Sequence, residues 1–295
     1  MSNLKKNYFK FIKNQETVGQ KFRDKQRQLK KFYLPLCANL FKIYKFKNRP
    51  LLLGLSGSQG SGKSTIAQIL KIILEEKFNL SVVSFSIDDF YKTALERKKL
   101  SKSIHPLFLT RGVPGTHDTK RIYNTIKILF KKNFKTLKIP KFDKSKDDRF
   151  SHKHWQKIKK KPDVIIFEGW CVGAKPQSFK KLVKPINILE KAEDTKLTWR
   201  KKVNNELKTN YKKIFNLLDK IIYLKVPNFK YVLKWRLLQE KKLRLRSKSK
   251  AMTNKQIKRF IMFYERITKN MTKNYKKNDT VIKIDKSHKI QSIKF

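Results

Sequence analysis

The stretch from Leu51 to Thr65, LLLGLSGSQGSGKST, constrains this chain more than any other. An apolar run ends at Gly57, a turn of Ser58, Gln59, Gly60 and Ser61 follows, and Gly62-Lys63-Ser64 opens a segment with helical spacing. This is G-x-x-x-x-G-K-[ST] with a strand before it and a helix after it, the setting in which the pattern binds phosphate. Gly57, Gly60 and Gly62 let the backbone turn so that successive N–H groups up to Thr65 point at phosphate oxygens. The helix N-terminus adds partial positive charge. Lys63 can reach β- and γ-phosphates, and the Ser64 hydroxyl can ligate Mg²⁺. A nucleoside-triphosphate site is the first expectation.

Composition sets limits around that loop. At 295 residues the chain is one large domain, or one domain with additions. That is long enough to bury a sizeable core, and 39% hydrophobic content with abundant Phe and Tyr predicts a globular chain. No apolar run approaches the roughly 18 residues of a membrane span. Met1 to Lys10 lacks the apolar segment of a secretory signal. Two cysteines, Cys37 and Cys171, cannot build a disulfide framework, which fits a reducing cytoplasm. A cytoplasmic protein without a membrane partner is expected.

The net charge is +52. Such charge is the signature of a polyanion binder, but here the excess is mostly Lys and spread along the whole chain. A dedicated nucleic-acid site favours clustered cations with Arg at the contacts. The charges are read as solvated on helix faces. No specific nucleic-acid partner is expected, and non-specific retention on polyanions follows from charge alone.

Residues 1–49 read as a helical extension and residues 50–295 as the domain that carries the loop. Within the extension two helical segments are expected, with Pro35 in the first turn of the second. From Leu51 the pattern alternates. Strands are expected at 51–56, 80–87, 163–167 and 220–226, with a last short one at 280–284. Helices are expected at 63–77, 118–132, across most of 191–218, at 228–244 and at 253–272. Strands separated by helices predict an α/β fold with a mainly parallel sheet and right-handed crossovers. Ligands then bind beyond the carboxyl ends of the strands.

Polar residues fall at those ends. Asp88-Asp89-Phe90-Tyr91 follows one strand, and Glu168-Gly169-Trp170 follows another. Asp88 is a candidate general base for an acceptor hydroxyl, or a group that helps hold Mg²⁺, while either Asp88 or Asp89 can instead cap the next helix. Glu168 stands where an acid orients Mg²⁺ beside a phosphate loop. The loop Arg111 to Asp118, RGVPGTHD, presents Arg111 on rigid turns, and Arg grips carboxylate or phosphate bidentately. Asp118 can cap the following helix, and His117 is a base, a substrate contact or a hydrogen-bonding spacer. Residues 140–149 mix acids and bases, and Lys144 and Arg149 could complete an anion pocket or sit in a solvated turn. The basic run Leu243 to Lys250, with Arg244, is a candidate lid over the triphosphate. His105, His152, His154 and Cys171 lack metal-ligand spacing.

Taken together, the ordered set resembles the plant-type D-glycerate 3-kinases, relatives of phosphoribulokinase, uridine kinase and pantothenate kinase. It comprises Gly57 to Thr65, Ser86-Ile87-Asp88-Asp89-Phe90-Tyr91, Arg111 to Asp118, Phe142-Asp143-Lys144-Ser145, Asp148-Arg149, Phe167-Glu168-Gly169-Trp170 and Trp235 to Glu240. The resemblance covers roughly residues 32–273, and its specificity rests on R-G-x-P-G-T-H-D and E-G-W. It implies a P-loop kinase fold with ATP and Mg²⁺ as cofactors and a small anionic substrate, D-glycerate, converted to 3-phosphoglycerate. It also implies that Lys63 and Ser64 hold phosphate and Mg²⁺ and that Asp88 is the base. Arg111, Tyr91, His117, Lys144 and Arg149 would face the acceptor. One departure stands out: Ala251 occupies a position where the family has Gly.

Overall fold

The computed structural model describes residues 2–16, 21–246, 252–275 and 279–295, the side chains of Ser2 and of residues 242–246 excepted. The extension contributes α1 (Ser2–Gln15), then α2 (Lys25–Gln28), a π-helical turn Leu29–Tyr33 and α3 (Leu34–Lys45). Pro35 falls in the first turn of α3, as expected, yet α2, the π turn and α3 follow one another without a loop. Proline lacks an N–H and crowds the preceding carbonyl, and the wider π turn immediately before it accommodates both.

The body of the molecule is a six-stranded sheet. Its first half comes from β1 (Leu51–Gly57), α4 (Lys63–Phe78), β2 (Val82–Ser86), α5 (Ala94–Ser103) and α6 (Thr119–Leu129). Four short strands follow as two hairpin pairs: β3 (Leu137–Ile139) with β6 (Gln156–Ile158), and β4 (Phe142–Asp143) with β5 (Asp148–Arg149). Then come β7 (Val164–Gly169), α7 (Phe179–Val183), α8 (Ile188–Glu193), α9 (Thr198–Glu206), a π turn Leu207–Tyr211 and α10 (Lys212–Phe215). The chain closes with β8 (Lys220–Lys225), α11 (Phe229–Arg246), α12 (Asn254–Lys273), β9 (Thr280–Ile284) and β10 (Ile290–Lys294).

The strand order is β10-β9-β8-β1-β7-β2, parallel throughout except for the antiparallel β9–β10 pair. β1 and β7 lie inside the sheet and are buried on both faces, which is why both read as unbroken apolar runs. Side chains alternate between the faces. Leu51, Leu53, Leu55, Val164 and Ile166 enter the core under α4, while Leu52, Ile165 and Phe167 enter the core under α6, α9 and α12.

The extension packs on the first of these cores. Leu4, Tyr8 and Ile12 are buried there with Leu36, Cys37 and Leu40. At roughly 2 kcal/mol for each fully buried aliphatic side chain, this contact is far larger than a surface ion pair contributes. Gln28 adds a two-way bond to the opposite end of the chain: its Nε2 donates to the Ile290 carbonyl at 3.2 Å, and its Oε1 accepts from the Ile290 N–H at 3.0 Å.

Three expectations are corrected. The strand 280–284 is not the last: Asp285 makes a tight turn, accepting from Ser287 and Lys289 N–H, and β10 returns alongside β9. The strand expected at 80–87 is shorter, because Ser86 caps a 3₁₀ turn over Ile87–Phe90. A helix, α5, lies between 87 and 118, where no helix is expected from the sequence, started by a reciprocal cap in which Thr93 and Glu96 bond each other's backbone N–H. Among the described residues no helix is long and apolar enough to cross a membrane.

Candidate active site

The phosphate loop leaves the carboxyl end of β1. Gly62 sits at φ +88° with open space where a Cβ would be, a conformation only glycine adopts without strain. Lys63 Nζ donates to the Ser58 carbonyl at 3.0 Å, folding the side chain back over the loop. Burial lowers the Lys63 pKa, against the charges of Glu168 and Asp88 that favour its protonated form. Ser64 Oγ donates to Glu168 Oε1 at 2.7 Å. β1 and β7 are in parallel register, with Leu55 opposite Glu168, so the sheet brings this acid to the loop. Burial raises the Glu168 carboxyl, while Lys63 and Ser64 pull it back down.

The loop fits a triphosphate and Mg²⁺. Among the described residues the Ser58 and Ser61 hydroxyls and Gln59 Oε1 are buried without a hydrogen-bond partner, a cost that a bound polar ligand removes. A serine hydroxyl beside a carboxylate is a donor set suited to Mg²⁺, which keeps waters and phosphate oxygens as its other ligands.

Asp88 stands at the carboxyl end of β2, two strands from the loop. Asp89 takes the structural role: its carboxylate accepts from Ser86 N–H at 3.2 Å and from Lys141 Nζ at 2.9 Å. Asp88 is left to face the cleft. Its Oδ1 accepts from the Tyr91 hydroxyl at 2.7 Å and its Oδ2 from Lys144 Nζ at 2.9 Å. Burial pushes Asp88 up, but Lys144 and the Tyr91 hydroxyl outweigh it and hold the carboxyl well below its usual range. Lys63, Glu168, Asp88 and Lys144 all feel one another's charge and so form one cluster.

The loop 111–118 closes the far side. Gly112, at φ +131°, lies so close to Tyr264 that a Cβ would run into its hydroxyl. Tyr264 Oη donates to the Arg111 carbonyl at 3.2 Å, and Trp170 Nε1 donates to the Gly112 carbonyl at 2.9 Å. Asp118 caps α6, accepting from Arg121 N–H at 3.0 Å, as its position predicts. Arg111 turns toward the turn between β4 and β5, where it pairs with Asp147. Lys144 lies on the same turn. Arg149 is more engaged: its Nε donates to the Tyr91 carbonyl at 3.0 Å, and its guanidinium lies 3.5 Å from both Asp118 and Glu96.

His117 is 1% exposed and stacks on Tyr91, with ring centroids 4.6 Å apart. Its Nδ1 lies 2.5 Å from Tyr211 Oη, which also accepts from the Gly115 N–H at 3.2 Å. Nδ1 and the Tyr211 hydroxyl thus share one hydrogen bond, while Nε2 has no partner among the described residues. Burial lowers the His117 pKa to about 3. The ring is a neutral support for Tyr91 more than a group exposed to substrate.

A second region was not read from sequence. On the other flank of the phosphate loop lies a cavity of about 1470 Å³, lined by Gly60, Gly62, Thr65, Phe22, Trp235 and His288 among others. Its lining includes none of Asp88, Lys144 and Glu168. The Trp235 and His288 rings lie 4.1 Å apart, and His288 Nε2 lies 2.5 Å from the Gly60 carbonyl. Tyr8, Ile12 and Phe22 of the extension form one wall. The Trp235 to Glu240 motif and the phosphate loop supply part of this region, but the sequence assigned that motif no role, and the rest comes from the two ends of the chain. Arg97, Tyr211 and Tyr264 fall in no motif, and Asp147 is one acid of the mixed stretch 140–149; each acquires its partner only on folding. The Arg244 side chain and residues 247–251, with Ala251 and most of the candidate lid, lie outside the described residues.

The family model described as Phosphoribulokinase / Uridine kinase family matches residues 52–234. The chain is 37% identical over 238 residues to an "Uncharacterized kinase mug58" of Schizosaccharomyces pombe, covering 76% of this chain and 84% of that one. It is 30% identical over 265 residues to a "D-glycerate 3-kinase, chloroplastic" of Arabidopsis thaliana, covering 84% of this chain and 54% of that protein, about half its length. Among solved structures, a D-glycerate 3-kinase from Cryptococcus neoformans superposes with a TM-score of 0.74 at 26% identity, covering 91% of this chain and 98% of that one.

Proposed function

The chain belongs to the phosphoribulokinase/uridine kinase family of P-loop kinases, and from that premise we propose that it transfers the γ-phosphoryl group of ATP to D-glycerate, giving 3-phosphoglycerate. The observation that carries the acceptor side is the position of Asp88. It lies in one charge cluster with Lys63 and Glu168 on the phosphate side and with Lys144 on the other, while Arg111 is within electrostatic reach of both Lys144 and Tyr91. Asp88 is thus the carboxylate between a triphosphate cradle and a pair of cations suited to a small hydroxylated anion. The relatives described as D-glycerate 3-kinases support that acceptor.

In this reading the P-loop N–H groups, Lys63 and the α4 N-terminus bind the triphosphate, and the cavity beside Trp235 receives the nucleoside. Ser64 and Glu168 would hold Mg²⁺, which would neutralise phosphate charge when bound. Arg111 takes the acceptor carboxylate and aims its hydroxyl at Asp88. Asp88 accepts the hydroxyl proton, the acceptor oxygen bonds to the γ-phosphorus, and the bond to the β-phosphate oxygen breaks to release ADP. A carboxylate gripped by Lys144 is a poor base. Acceptor and triphosphate would draw Lys144 toward the transferring phosphoryl group and so make Asp88 more basic at the moment it is needed. Residues 1–49 are read as a helical extension on the kinase domain 50–295, closing the nucleoside side.

Purified protein with ATP and Mg²⁺ should release ADP on addition of D-glycerate and form 3-phosphoglycerate. ADP release with uridine, pantothenate or another hydroxylated acceptor, and none with D-glycerate, would move the assignment to that acceptor. Selective, salt-resistant RNA binding without turnover of any acceptor would replace it altogether.

A further inference from the structure

Arg97 belongs to none of the motifs and projects from the first turns of α5, yet it is 1% exposed. A buried guanidinium is costly unless its donors are used. Here each of its three nitrogens donates at least one hydrogen bond. Nε donates to the Leu109 carbonyl at 3.2 Å and NH1 to the Lys92 carbonyl at 2.8 Å. NH2 donates to both the carbonyl and the carboxylate of Asp147, at 3.0 and 2.5 Å. Asp147 occupies the left-handed region at φ +54°, so the turn between β4 and β5 is bent specifically where Arg97 grips it.

The other carboxylate oxygen of Asp147 accepts from Arg111 NH1. Arg111 NH2 reaches the Lys144 carbonyl on the same turn at 3.4 Å, and both guanidinium groups flank the Phe142 ring, at 5.8 Å for Arg97 and 5.5 Å for Arg111. One arginine is buried and held by four hydrogen bonds, the other is partly exposed, and a single carboxylate joins them. A merely structural contact at this place would be served by an apolar side chain at lower desolvation cost.

We propose that Arg97 and Asp147 are positioning residues for the acceptor: Asp147, fixed by Arg97, holds the Arg111 guanidinium ready to receive the acceptor carboxylate. This rests on the reading that Arg111 meets the acceptor. Without the hold, Arg111 has to be ordered by each incoming substrate, and affinity for the acceptor falls while the triphosphate side is untouched.

Two variants remove the carboxylate and tolerate the backbone: Asp147→Asn and Asp147→Gly. Both should raise the KM for D-glycerate about tenfold or more, with the KM for ATP unchanged. Arg97→Lys, which keeps the charge and loses the fork, should do the same in part. The Arg111 side-chain N–H resonance should be sharp in the wild type and lost in Asp147→Asn, a readout independent of which acceptor is used. An unchanged acceptor KM with an unchanged Arg111 resonance overturns the proposal. A lower acceptor KM also overturns it, because Asp147 would then be competing with the acceptor for Arg111. Arg111→Ala separates the two layers. If that variant leaves the acceptor KM unchanged, the reading of the acceptor site fails. If it raises the KM and the Asp147 variants do not, only the positioning role fails.

Discussion

Ser64 and Glu168 are far apart in the chain, yet the Ser64 hydroxyl donates to Glu168 Oε1 at 2.7 Å. The contact joins the first turn of α4 to the end of β7. It places a neutral oxygen and an anionic oxygen side by side at the mouth of the phosphate loop.

Glu168→Gln keeps the shape and removes the charge. It should weaken the apparent affinity for Mg²⁺ about 10–100-fold, while ADP binding in the presence of a chelator stays near the wild-type value. A Mg²⁺ titration of turnover at fixed ATP, alongside calorimetry, measures both.

Asp88→Asn should lower kcat about 10²–10⁴-fold and leave nucleotide affinity nearly intact, because the lost group acts on the acceptor proton. Wild-type turnover in this variant would remove Asp88 from the mechanism.

His117 gives a pH prediction. Burial holds its folded pKa at about 3, against about 6.5 for an unperturbed imidazole. Between those values the unfolded chain takes up a proton that the folded chain refuses, so stability falls as pH falls from about 6.5 toward 3. One such group contributes a slope of at most about 1.4 kcal/mol per pH unit. Urea unfolding at a series of pH values should show this slope in the wild type. It should show a shallower one in His117→Asn above pH about 5, where the unfolded Asp88 carboxyl does not yet take up protons.

Gly112→Ala tests the floor of the 111–118 loop. The new methyl would meet the Tyr264 hydroxyl at a positive φ that alanine avoids, so stability should drop by about 2–4 kcal/mol. Thermal melting reads the loss. A variant as stable as the wild type would mean that the loop is not clamped between Tyr264 and Trp170.

How much of this was legible depended on distance along the chain. The phosphate loop is local, since strand, turn and helix lie within one short stretch, and its geometry follows from residue types. Asp88 and Glu168 were found through a fold-level rule: acids directly after apolar strands converge in a parallel sheet. The capping role of Asp118 was likewise written in its neighbours. By contrast Arg97 is one cation among 74, and a basic chain offers no contrast against which a buried one stands out. Asp147 looked like part of a solvated turn. His117 looked like a candidate contact until Tyr211 was found against it.

Sequence by itself thus determined the family, the parallel α/β sheet, the phosphate loop and the acids opposite it, because short-range spacing and strand periodicity carry them. Tertiary structure alone decided which acid caps and which faces the cleft, which arginine is fixed and which is presented, and how Gln28 of the extension comes to bond Ile290 beside the cavity at Trp235. Those choices depend on burial and on partners remote in sequence, and a charge acquires its role only when the fold decides what it is buried against.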